Sequence, residues 1–141
     1  TPLPENSVES VARVRLAWEL CGASINILIP QQHDEVFAAV SHLPHLLSFV
    51  LVNDLAQRAN RDVLLSFAAS GFRDFTRIAA SSPEMWRDIC LANRKALLHE
   101  VQQYADELYK VYQALEKSDA AKLEEIFRLA SEVRSNWTQN K

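Results

Sequence analysis

Glycine is nearly missing from this sequence: Gly22 and Gly71 are the only two in 141 residues. A GxGxxG or Walker loop needs glycine so that backbone can approach a phosphate closely, so the chain carries no such loop of its own. Cysteine is equally scarce. Cys21 and Cys90 have no CxxC spacing and no third cysteine beside them, which argues against a disulfide framework and a cysteine zinc site and fits a reducing cytoplasm. Basic charge is not in excess either: the formal net charge is −3 and the two signs are interspersed, so nucleic acid is not an expected partner. The longest strongly apolar run, LLSFVLV at 46–52, falls well short of the ~20 residues that cross a bilayer, and no signal peptide opens the chain. A soluble protein without a membrane partner is expected.

What is present is apolar content of 48% in a chain long enough for one core, hence one domain over 1–141. The opening TPLPENS reads as a proline-bearing linker, which suggests a piece of something longer. Apolar residues at near-helical spacing from Pro4 to Leu20 predict a first helix, with Gly22 as its stop. The β-branched SINILI, 24–29, lies between Gly22 and Pro30 and predicts one short strand. Pro30 suits the first turn of a second helix whose apolar residues run from Val36 to Leu55. Pro44 lies inside it, removes one hydrogen bond and clashes with the Val40 carbonyl, so a kink is expected there.

Further on, DVLLSFAAS predicts a short helix ended by Gly71, and FRDFTRIAAS another ended near Pro83. A helix of about 30 residues should start near Pro83, because Leu97, Val101, Tyr104, Leu108, Val111 and Leu115 form a coiled-coil-like seam. At ~45 Å such a helix outruns a compact domain of this size, so the seam serves an antiparallel hairpin, a subunit interface, or both. A last helix from about Ser118, capped by Ser118 or Asp119, carries Leu123, Ile126, Phe127, Ala130, Val133 and Trp137 on one face.

Two constellations could carry chemistry. HDEVFAAVSHLPH, 33–45, holds three of the four histidines. On a straight helix His42 lies nine steps of about 100° from His33, pointing oppositely, so the three cannot grip one metal ion. His42 and His45 share a face but lack a carboxylate there, and His33, in the apolar arc of Val36, Val40 and Leu47, reads as a buried neutral histidine with Asp34 as nearest carboxylate. The second stretch is SGFRDFTRIAASSPEMW, 70–86. Arg73 and Arg77 stand one turn apart, and Asp74 could hold an arginine fork that takes a carboxylate; an ordinary solvated Arg–Asp pair is the plainer alternative. Trp86 reads as a core or interface aromatic.

At GASINILIPQQHDEVFAAVSHLPHLLSFVLVNDLA and GFRDFTRIAASSPEMWRDICLANR the sequence resembles the C-terminal helical domain of prephenate dehydrogenases, a family that includes arogenate and cyclohexadienyl dehydrogenases. The resemblance covers nearly the whole chain. It implies an all-α dimerisation domain of the 6-phosphogluconate-dehydrogenase C-terminal-like type, with a Rossmann domain upstream that binds NAD or NADP and carries the catalytic histidine. No catalytic residue is then expected in this chain, which alone should be folded, dimeric and inactive. The implied reaction is oxidative decarboxylation of prephenate to 4-hydroxyphenylpyruvate, in tyrosine biosynthesis. By match to TRIA, Arg77 contacts a substrate carboxylate, with Asp74 in its ion-pair network. By match to SHLPH, His45 lines the pocket with His42 beside it and faces substrate or feedback tyrosine. Trp86 matches a tryptophan that arrives from the other subunit, and His33 with Asp34 matches a pair at the domain junction. Asn93 matches the motif but has no assigned role. Arogenate as substrate, a non-catalytic dimerisation module and a stand-alone metal-dependent helical enzyme stay open at this point.

Overall fold

The computed structural model describes residues 1–139, and among them every regular element is helical. Contacts divide the chain into two units, residues 1–100 and a second unit from Val101 onward.

In the first unit, α1 (Val8–Leu20) starts four residues after Pro4, because Ser7 is extended and its Oγ accepts the Ser10 N–H at 3.2 Å. It ends as expected at Gly22, whose φ of +83° lets the N–H groups of Gly22 and Ala23 reach back to Glu19 and Trp18 at 2.9 and 3.0 Å. No residue of α1 is buried. The expected strand at 24–29 is not formed. Ile29 is extended (φ −70°, ψ 153°), but no second strand pairs with the segment among the described residues, and an extended segment becomes a strand only through a ladder.

Pro30 then opens a continuous helix to Ala56 in three registers: α2 (Pro30–Phe37), a π-helical turn (Ala38–His42) and α3 (Leu43–Ala56). The disturbance expected at Pro44 lies just before it and takes this form. The Leu43 N–H reaches the Ala38 carbonyl five residues back, a wider turn that precedes the proline ring. Taken whole, this 27-residue helix is long and apolar enough by composition to cross a bilayer, which the short apolar run had not suggested.

Next come α4 (Arg61–Ser66), α5 (Ser70–Thr76), a 3₁₀ turn (Arg77–Ala80), α6 (Pro83–Ala92) and α7 (Arg94–Glu116). Gly71 does not end a helix; it lies in the first turn of α5, and α4 closes earlier at Phe67. The expected 30-residue helix is two helices, broken at Asn93 (φ −100°, ψ 30°). Ser82 caps α6 by accepting the Met85 N–H at 3.3 Å, with Pro83 in the first turn. Ala38, Leu43, Trp86 and Leu97 form the buried apolar centre of this unit, and fully buried Ser48 docks α5 on α3 by donating to the Phe75 carbonyl at 3.2 Å.

The second unit contains the rest of α7 and α8 (Ala120–Gln139). Ser118 adopts φ +53°, its N–H and that of Asp119 return to Leu115 and Ala114, and the Asp119 carboxylate caps α8 by accepting the Lys122 N–H at 3.0 Å. Asp119, not Ser118, is therefore the N-cap. Ala114 is buried and Val111, Leu123 and Ile126 are half-buried, all near the turn. Tyr104, Leu108, Leu115, Phe127, Val133 and Trp137 stay exposed, so the hairpin covers only part of the seam.

Candidate functional site

The π turn determines how the histidines stand. It takes up roughly one extra residue, so the angle between His33 and His42 falls by about 100° from the straight-helix value. The opposition expected for a straight helix is therefore lost, and His33 is near enough for its charge to depress the proton affinity of His42. His33 itself is only half-buried; its Nδ1 lies 3.0 Å from Asp34 Oδ1 and its ring 4.4 Å from that of Phe37. Among the described residues, no group of three histidine, cysteine or acidic side chains is placed to hold a metal ion.

His45 points its Nδ1 at the Ser41 carbonyl at 2.8 Å. A carbonyl only accepts, so Nδ1 carries the proton and Nε2 of the neutral ring is the free acceptor. Trp86 lies flat on this ring, with centroids 3.7 Å apart and planes within 18°, and meets His42 edge-on at 6.2 Å. The tryptophan comes from the same chain, brought there by α6. The resemblance assigns Trp86 to a partner subunit's site, and within one chain its ring contacts are with His42 and His45. Only 8% of Trp86 is exposed, and its indole N–H has no hydrogen-bond partner among the described residues.

Asn93 closes the cluster from the break between α6 and α7. It is 9% exposed and its Nδ2 donates to the Asp34 carbonyl at 2.7 Å and to His42 Nδ1 at 3.1 Å. His42 is held below the ordinary histidine range, first by burial and then by His33 and His45, with Asp34 acting the other way. Sequence reasoning gave Asn93 no role, although its motif, MW-x-DI-x-x-x-N, was the available signal.

Arg77 opens the 3₁₀ turn and Asp74 lies on α5; both are exposed. Among the described residues no ion pair joins Asp74 to Arg73 or Arg77, so the expected network is not made within the chain, and no hydrogen bond or ion pair ties Arg77 to the histidines. Their connection is through α3: Ser48, one turn beyond His45, holds the Phe75 carbonyl two residues before Arg77. The structure thus gathers His42, His45, Trp86 and Asn93, and carries Arg77 on a segment anchored to the same helix.

The family model for the prephenate dehydrogenase dimerization domain matches residues 29–129. This chain belongs to that family. Prephenate dehydrogenase of Bacillus subtilis is 35% identical over 135 residues, which are 95% of this chain and 36% of that protein. The crystal structure of prephenate dehydrogenase from A. aeolicus with hydroxyphenyl propionate and NAD⁺ is similar at 31% identity and a TM-score of 0.83, covering 100% of this chain and 49% of that one. Arogenate dehydrogenase of Synechocystis is similar at 28% identity and a TM-score of 0.81, covering 97% of this chain and 50% of that one. The chain therefore spans between about a third and a half of the length of these family members. Neither of its glycines cradles a phosphate: Gly22 closes α1 with open space around it, and Gly71 sits within α5. The described residues thus contain no glycine-rich loop of the kind that holds a dinucleotide pyrophosphate.

Proposed function

We propose that this chain is the substrate-binding and dimerising part of a dehydrogenase that converts prephenate to 4-hydroxyphenylpyruvate, with decarboxylation and reduction of NAD or NADP, in cytoplasmic tyrosine biosynthesis. The observation that carries the reading is the His42–His45–Trp86 cluster, built at the family's SHLPH and MW motifs within a domain of that family. Cofactor contacts and the hydride step fall to residues outside it, and the chain alone is inactive.

On the substrate side, Arg77 presents a planar fork to one of the two carboxylates of prephenate, and as an exposed cation without an ion pair among the described residues it is available to do so. His45 offers an acceptor at Nε2, His42 a donor at Nε2, and Trp86 backs the His45 ring and holds it in place. Free tyrosine, which shares a carboxylate and a six-membered ring with the substrate, is a candidate feedback ligand of the same pocket. The Pro30–Ala56 helix is read as facing protein and not lipid, because Ser48 and the Asp34 carbonyl on it are bonded by polar groups of neighbouring elements.

The test is prephenate-dependent formation of reduced cofactor by the intact protein that contains this domain. Arg77→Ala is expected to cost about 2–5 kcal/mol, chiefly as weaker substrate binding, because a carboxylate is left unpaired in the pocket. Faster turnover with arogenate would move the assignment to that substrate. Unchanged prephenate turnover in Arg77→Ala would favour a dimerisation module without a role in the chemistry.

A further inference from the structure

We propose that Asn93 is a positioning residue that fixes His42 as the neutral tautomer with its proton on Nε2. The argument begins at the Asp34 backbone. Its carbonyl can only accept, and it lies 2.7 Å from the Asn93 amide, so the amide must turn its NH₂ side toward it. The second hydrogen of the same nitrogen then points at His42 Nδ1, 3.1 Å away. A ring nitrogen that faces a donor must offer its lone pair, which leaves the proton on Nε2.

The amide cannot flip to accommodate the other tautomer. A flip would set its oxygen against the Asp34 carbonyl, oxygen on oxygen, inside a cluster where Asn93 is 9% exposed. Nor is the backbone free to carry it elsewhere. The Asn93 N–H bonds the Ile89 carbonyl at the end of α6, and the Asn93 carbonyl accepts the Leu97 N–H at the start of α7, both at 3.0 Å. Protonating Nδ1 would bring N–H against N–H. The charged and titratable groups around the ring act in both directions: burial, His33 and His45 oppose a proton on His42, and Asp34 favours one.

The result is a matched pair beside Trp86, with His45 stacked on its face and His42 edge-on to it. His42 presents a fixed donor, and His45, whose Nδ1 proton is committed to the Ser41 carbonyl, presents an acceptor. A ligand in this site meets His42 with an acceptor oxygen, a carboxylate or keto group, and His45 with a donor. This last step rests on the substrate reading given above, whereas the tautomer itself does not.

The experiment is two-bond ¹H–¹⁵N correlation on the protein labelled at its four histidines, with His42 identified by the signal lost in His42→Gln. The expected wild-type result, on the alkaline side of the His42 titration, is a bare Nδ1 and a protonated Nε2. Asn93→Asp puts an acceptor opposite Nδ1 and is expected to move the proton there and raise the titration midpoint by about 1–3 pH units. Asn93→Ala, should the aspartate variant fail to fold, is expected to give a mixture of both tautomers. A wild-type Nδ1 that bears the proton would overturn the proposal without recourse to any variant, as would an Asn93→Ala protein with the wild-type tautomer and midpoint. Loss of the substrate reading alone would show differently, as absent prephenate turnover beside an intact wild-type tautomer.

Discussion

Protonation of His42 works against the fold. Burial, His33 and His45 all lower its proton affinity in the native state below the ordinary value of 6.5 that it regains on unfolding, and Asp34 offsets only part of this. Between the depressed native value and 6.5 the unfolded chain binds more protons, so stability rises with pH across that window. The contribution is complete above about pH 6.5 and is lost as pH falls through the native value. Thermal midpoints measured from pH 7.5 downward should therefore decline, and His42→Gln should flatten the decline; an unchanged slope would show that His42 is not the group responsible. His42, His45 and Trp86 were visible in the sequence because the first two sit in one short motif and the third in another. Asn93 was not interpretable there, since its partners Asp34 and His42 lie 59 and 51 positions away and only folding brings them to hydrogen-bonding distance. The inferred Asp74–Arg77 pair shows the opposite error: helical spacing permits it, yet exposed arginine and aspartate gain little from pairing in water.

At the level of elements, the ends at Gly22 and Asp119 were read from local chemistry, the end expected at Gly71 was not, and helix interiors were read less well. Gly22 as a stop needed only local chemistry, and the structure gives it the left-handed backbone that favours glycine. The break at Asn93 coincides with side-chain bonds to Asp34 and His42 that no periodicity reveals, the π turn at 38–42 is the wide form taken by the disturbance expected at Pro44, and SINILI has strand propensity but no strand to pair with among the described residues. The two helix ends Gly22 and Ser118 offer a paired test. Both close with the same two returning hydrogen bonds, but Ser118 holds φ +53° with a Cβ present, a conformation that costs an ordinary residue roughly 1–2 kcal/mol. Ser118→Gly removes that strain at some expense in chain entropy and should stabilise the hairpin by about 0.5–1 kcal/mol. Gly22→Ala should do the reverse at the end of α1; although nothing lies within 4 Å of the added methyl, the backbone there disfavours it. Urea unfolding followed by circular dichroism measures both, and a destabilised Ser118→Gly would mean that the serine makes up its strain elsewhere.

For the whole molecule the question is what covers the apolar surface. In the second unit burial is concentrated at the turn, around Ala114, while Leu108, Leu115, Phe127, Val133 and Trp137 are each more than half exposed. Leu108 and Leu115 are one heptad apart, the spacing at which a second helix can interlock along a seam. Isolated apolar residues on a surface are ordinary, but a row of them along two helices is a contact face, and a symmetric second copy is the simplest cover for a domain of a dimerization family. Light scattering at micromolar concentration should then give a mass near twice the 16.0 kDa of one chain. Replacing Leu108 and Leu115 together with glutamate puts charge in the middle of that seam and should shift the mass toward one chain while α7 stays helical. A wild-type monomer would reject the dimer outright. A dimer indifferent to both glutamates would move the interface from this seam to the apolar side of the Pro30–Ala56 helix, where Val36, Val40 and Val50 are also exposed.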